Sequence, residues 1–268
     1  MKYELKNNDM LPEGWMKYHK TLNGYRVNLS IKNCLFSIFD ERHNEFWMIW
    51  SEIIPVFIFL YITVSYVSSN FFASLNDLEK CLTIAIYIAV FTSRLFSCIY
   101  HIFNCFDLHL NSVLINFDLM GICQGALGSS WFMYIYVGKI NDLFLTYVSI
   151  LYSNYFICLI LFNILLTSKD KNLLLSNLAM NLLLLLALIG NLPLIAIGCS
   201  NYFPFLLRLC CLSGTCTLFL GYLIYIYYIP EIFLLPGKAD GKIWNSHVIW
   251  HNCVTISQVF FISAIYTT

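Results

Sequence analysis

Seven runs of predominantly apolar residues succeed one another along this chain, at about 53–72, 81–105, 112–136, 143–166, 173–199, 203–229 and 246–267, with short polar breaks between them. A helix rising 1.5 Å per residue needs about 20 residues to cross a hydrocarbon core of about 30 Å, and every run is long enough. No water-soluble core of 268 residues could hide so much apolar surface: 59% of the residues are hydrophobic, only 11% are charged, and the mean hydropathy is +0.71. A soluble domain carries roughly 25% charged residues. The surplus here must face lipid. The expected fold class is an all-α integral membrane protein, a multi-pass bundle of seven transmembrane helices over residues 51–268, preceded by a polar segment at 1–50. The loops are too short for a second domain. A cytosolic enzyme, a nucleic-acid binder and a disordered chain are excluded.

The polar segment sets the orientation. Fourteen of the 30 charged side chains lie within it, counting Glu52, and it lacks the apolar block and small-residue cleavage site of a signal peptide. An odd number of spans puts the termini on opposite sides. Lys2, Lys6, Lys17, Lys20, Arg26, Lys32 and Arg42, with Lys169, Lys171, Lys238 and Lys242 from loops on the same side, outnumber Lys80 and Lys139 on the other by 11 to 2. The positive-inside rule then makes the N-terminus cytoplasmic, so the sequon Asn28-Leu29-Ser30 is expected to stay unglycosylated. Fifteen basic residues balance 15 acidic ones, leaving no field to attract a polyanion, and nucleic acid is not an expected partner. The 11 cysteines form no CxxC pair and read as small apolar packing groups. Gly121, Gly125 and Gly128 make a small-residue face for close helix contact.

Ionisable side chains within spans are costly and usually face an interior cavity, so Arg94, His101, Asp118, Arg208, His247 and His251 carry most of the functional information. His101 ends the second span, Asp118 lies early in the third, and His247 and His251 open the seventh. In the expected topology all four sit on the cytoplasmic side, within roughly 10 Å of the interface. His247 and His251 are four apart and project from one helix face, as do Ser97 and His101. Three neutral imidazoles suffice for a zinc ion that keeps a fourth position open for water, whose pKa zinc lowers to about 7. Asp118 would then be a water-mediated ligand or general base, and Ser97 a hydrogen-bond partner of the water or a developing oxyanion. Helix-to-helix hydrogen bonding by the same groups is the structural alternative.

Several motifs resemble a known family. Asn23-Gly24-Tyr25-Arg26, Ser37-Ile38-Phe39, His43-Asn44-Glu45 and Ile49-Trp50-Ser51 resemble the stretch before the first span in the progestin and adipoQ receptor family. Ser97-Cys98-Ile99-Tyr100-His101, Asp118-Leu119-Met120-Gly121-Ile122, Pro230-Glu231, Pro236-Gly237-Lys238 and Ser246-His247-Val248-Ile249-Trp250-His251 look like its remaining signatures, so the resemblance covers nearly the whole chain. That family, which belongs with haemolysin III and is similar in motif to the alkaline ceramidases, implies seven helices, a cytoplasmic N-terminus and an intramembrane zinc. Its ligands would be His101, His247 and His251, with Asp118 reaching the metal through a water and Ser97 beside it. Met48, Glu52 and Phe106 depart from the family pattern, outside the implied ligand set. Arg94 is a charge that the pattern does not lead one to expect. It is expected to snorkel or to pair with a backbone carbonyl, with a lipid headgroup or substrate as the alternative.

Three functions follow. The leading expectation is a zinc-dependent hydrolase of a membrane lipid amide, ceramide-like, entered from the bilayer. The second is a membrane receptor or signalling protein in which zinc is structural and the N-terminal segment binds a cytoplasmic partner. The third is a pore-former, for which the spans offer no charged ring.

Overall fold

The computed structural model describes residues 3–15, 20–137, 195, 198–201 and 203–265, with side chains in the third long helix described only as far as Gly125. Seven α-helices lie among the described residues: α1 (Ile31–Ser37), α2 (Phe46–Val67), α3 (Asn70–Ser74), α4 (Asp77–Phe103), α5 (Leu108–Val137), α6 (Phe205–Ile226) and α7 (Ser246–Ile265). No strand occurs among these residues, only an isolated bridge between Lys6 and Tyr25. By length and composition three stretches could cross a membrane, Phe46–Val67, Glu79–Phe103 and Phe205–Phe233, and Leu108–Ile122 is a shorter apolar helix. The fourth expected span and nearly all of the fifth lie outside the described residues.

Polar caps start the helices earlier than the apolar runs alone suggest. Asn76 caps α4 by accepting from the Glu79 backbone N–H at 2.9 Å, while the Glu79 carboxylate accepts from the Asn76 N–H at 3.1 Å. This reciprocal arrangement satisfies two otherwise orphaned donors. The Asp107 carboxylate accepts from the Leu110 N–H at 2.7 Å, so α5 begins at Leu108 and not at 112. Asp118 consequently lies about 15 Å along the helix from its start, deeper than the sequence implied. The start of α2 at Phe46 draws Trp47, Trp50, Ser51 and Glu52 into a helix. Pro55, inside α2, removes the i→i−4 bond to the Ser51 carbonyl.

α4 packs along α5 and α2, while α6 and α7 pair with each other and α7 also meets α2. Glycine permits two of these approaches. A Cβ on Gly121 would stand 3.0 Å from the Ser93 carbonyl oxygen, and one on Gly214 would meet the Phe261 ring at 2.5 Å. Gly121 and Gly125 thus face neighbouring helices as expected; the surroundings of Gly128 fall outside those described. Two apolar clusters result. Phe59, Tyr66, Tyr87, Leu207, Cys211 and Phe261 join α2, α4, α6 and α7 at one end. Leu29, Cys34, Ile49, Cys98, Ile102 and Cys105 fasten the N-terminal segment to the other.

That segment is folded onto the end of the bundle. Arg26, buried, donates to the His101 carbonyl at 2.6 Å, the Ile102 carbonyl at 3.4 Å, the Asn104 Oδ1 at 3.2 Å and the Ser37 hydroxyl at 2.5 Å. It thereby satisfies carbonyls that the end of α4 leaves orphaned. Lys20 Nζ does the same for the turn before α7, donating to the carbonyls of Glu231, Ile232 and Leu234. Glu231 in turn accepts from the Ser246 N–H and hydroxyl at 2.7 and 2.8 Å, where α7 begins.

Candidate metal centre

The last turn of α4 and the first two turns of α7 meet beneath this folded segment, bringing His101, His247 and His251 together. Their ring centroids are 5.3 Å apart for His101 and His247, 4.9 Å for His101 and His251, and 4.6 Å for His247 and His251. One nitrogen from each lies within 4.8 Å of the others, a spacing able to hold a metal ion. Spacing in sequence explains the pair on α7, since residues four apart share a helix face. Only packing adds His101, 146 residues earlier in the chain.

The hydrogen bonds decide which nitrogens face inward. Glu45 Oε2 lies 2.7 Å from His101 Nδ1, and its other oxygen accepts from Asn104 Nδ2 at 3.0 Å. A carboxylate accepts, so Nδ1 carries the proton and Nε2 presents a lone pair. His101 is fully buried and its Nε2 has no hydrogen-bond partner. An orphaned buried acceptor costs about 1–3 kcal/mol, and a metal ion at this point would remove that cost.

His251 is set by a second chain of the same logic. The Ser51 hydroxyl donates to the Met48 carbonyl at 2.7 Å, so toward His251 Nδ1, 2.9 Å away, it can only accept. Glu52 Oε1 is also 3.2 Å from that nitrogen. Nδ1 therefore carries the proton and Nε2 is again the bare nitrogen. His247 is half-buried and packs edge-on against Tyr225 at 5.3 Å. Imidazoles whose outer N–H is held by a carboxylate or hydroxyl are the usual dress of metal ligands. Two of the three rings are held this way, and three imidazoles suit zinc or another late divalent ion, so the residues present fit the expected group.

His43 provides an internal contrast. It accepts from the Glu45 N–H at Nδ1, 3.1 Å, so Nε2 must donate to the Ser37 carbonyl at 2.7 Å. Both nitrogens are used, which makes it a structural histidine. Burial, reinforced by the Arg26 charge, lowers its pKa from 6.5 to about 4. Nearby, the Arg42 guanidinium holds the Asp40 carboxyl well below the usual carboxylate range.

Asp118 and Ser97 do not join the converging nitrogens. They share a side-chain hydrogen bond, and Asp118 is within electrostatic reach of His101, Arg94 and Glu45. The expectation for Arg94 needs correction. It pairs with side chains of two other helices: Nη1 donates to both Glu52 oxygens at 3.0 and 3.2 Å, and Nε to Gln258 Oε1 at 2.9 Å. In this low-dielectric position an ionic partner outcompetes a long reach to the interface. Arg208, in the first turn of α6, donates to the Gly198 carbonyl at 3.2 Å.

Sequence motifs named Glu45 and Ser51 and marked Glu52 as a departure, but gave none of them a role beside the histidines. Glu45, at the N-cap of α2, and Met48 and Glu52 within that helix recur at helical spacing.

The profile of the haemolysin-III related family matches residues 40–262, taking in all three histidines and the described bundle from α2 to within three residues of the end of α7. The chain belongs to that family. No curated protein matches the chain. Haemolysin-III related membership, together with helices long and apolar enough to cross a bilayer, makes this a helical membrane protein. The match begins beyond Arg26 and Ser37, so the fastening of the N-terminal segment to α4 lies outside what the family profile describes.

Proposed function

We propose that this haemolysin-III related protein is a seven-span membrane protein with a cytoplasmic N-terminus, in which His101, His247 and His251 hold a zinc ion and hydrolyse a lipid amide of the ceramide type. The observation that carries the reading is the pair of imidazoles with fixed outer N–H groups and inward Nε2 lone pairs, one of them buried without any partner. When bound, zinc supplies Lewis acidity and lowers the pKa of coordinated water to about 7. The chain's own groups supply the rest. Glu45 and Ser51 hold two rings at the required tautomer. Asp118, kept in place by Ser97, is the group available to take the proton of an attacking water and return it to the leaving amine. Ser97 can also donate to the amide oxygen as charge develops there.

Metal content of detergent-purified protein tests the first half. One zinc per chain is expected, lost in the His247→Ala, His251→Ala double variant; no metal in folded wild-type protein removes the hydrolase mechanism. Ceramide cleavage that disappears in Asp118→Asn, with zinc retained, tests the second half. One observation favours a signalling reading as an alternative: Arg26 of the N-terminal segment donates directly to the carbonyl of His101, so a partner that moved that segment would act on a ligand helix. Retained ligand binding without turnover would favour it.

A further inference from the structure

Two turns beneath the histidines lies a buried ion pair that ligation by itself does not require. Glu52 and Arg94 are 1% and 4% exposed, and the pair takes Arg94 from α4, Glu52 from α2 and Gln258 from α7. Arg94 precedes His101 by seven residues on α4, and Gln258 follows His251 by seven on α7, so each lies on the same helix face as a ligand. Glu52 is the point where these faces meet. Its Oε1 is shared between Arg94 Nη1 at 3.0 Å and His251 Nδ1 at 3.2 Å. An ion pair this deep carries a desolvation penalty of several kcal/mol, and apolar residues of like volume would fill the space at less cost.

We infer that Glu52, locked by Arg94, which Gln258 in turn holds, is a positioning residue for His251. Together with Ser51 it fixes the tautomer and direction of that ring, and it holds α2, α4 and α7 in register below the ligands. Arg94 acts through Glu52 and touches no ligand itself. The inference rests on the proposed metal site.

The test is a cobalt(II) titration of the full chain in detergent, read by its visible d–d absorption, with chelator-stripped melting temperatures as the measure of folding. Glu52→Gln keeps the side-chain shape and is expected to weaken cobalt binding about 10–100-fold and to alter the absorption bands, with the stripped protein still folded. Arg94→Gln is expected to weaken binding as well. The double variant Glu52→Gln, Arg94→Gln should bind no more weakly than Glu52→Gln alone, because both act through one residue. Glu52→Asp, which keeps the charge but shortens the reach to His251, carries the same test should Glu52→Gln fail to fold. Binding and bands as in wild type in the Glu52 variant overturn the inference. So do losses that add in the double variant. Wild-type protein that binds no cobalt or zinc overturns the metal reading instead, which separates the two failures.

Discussion

At one end of the bundle α2, α4, α6 and α7 are joined by Phe59, Tyr66, Tyr87, Leu207 and Phe261; at the other, the same α2, α4 and α7 meet through Glu45, Ser51, Glu52, Arg94 and three histidines. The first end is held by non-directional contact, in which any side chain of suitable volume contributes dispersion and shape. The second is held by directional bonds between particular donors and acceptors, in which a single deletion strands a partner. Cohesion at the apolar end tolerates exchange of residues. The polar end does not, and that intolerance is what fixes two ring tautomers and aims their free nitrogens inward.

Changes at either end should therefore fail differently. Arg94→Met takes the cation away from the buried Glu52 carboxyl, and the expected loss is about 4 kcal/mol, measured by chemical unfolding in detergent, together with weakened metal binding. At the apolar end Leu207→Ala opens a cavity among α2, α4, α6 and α7, with an expected loss of about 3 kcal/mol; metal stoichiometry should stay at the wild-type value. A Leu207 variant that lost its metal would erase the distinction between the ends.

Acidification addresses the polar end without mutation. His43 folds with its pKa lowered to about 4 from 6.5. The unfolded chain therefore binds the proton first, so its contribution is complete above about pH 6.5 and declines as pH falls from there toward 4. The expected loss between pH 7.5 and 5 is about 2 kcal/mol. In His43→Gln that part of the pH dependence should vanish from the melting curves; an unchanged slope would show that His43 is not the titrating group. The smallest effect belongs to a site remote from the histidines. Asn76→Ala removes the cap of α4 and should cost about 1 kcal/mol, with metal binding unaltered.

Much of the fold is legible in the residues alone, because burial in lipid is read from run length. α2, α4 and α6 overlap the apolar runs; α2 both starts and ends earlier than its run, α4 starts earlier, and α6 lies just inside its run. The early starts have a common cause: Asn76, Asp107 and the aromatic residues Phe46, Trp47 and Trp50 are compatible with a helix that begins before the chain becomes apolar. The site was half legible. HxxxH spacing places His247 and His251 on one face, and the end of the second span offers His101 at a matching depth. Glu45 and Glu52 were missed because a carboxylate next to a basic segment looks like solvated surface until its helix is known. Arg94 was misread because its partner lies 42 residues away on another helix.

The sequence by itself determined that this is a helical membrane protein, roughly where its described long helices run, and which few polar side chains stand out within them. Those are properties of length, hydropathy and period, and each is local. The tertiary structure alone decided who meets whom: that Glu45 takes His101, that Ser51 and Glu52 take His251, that Arg94 is neutralised by Glu52, and that Arg26 closes the end of α4. Hydrogen bonds and ion pairs act over about 3 Å, so their partners are fixed by the packing of helices distant in sequence and by no pattern within any one of them.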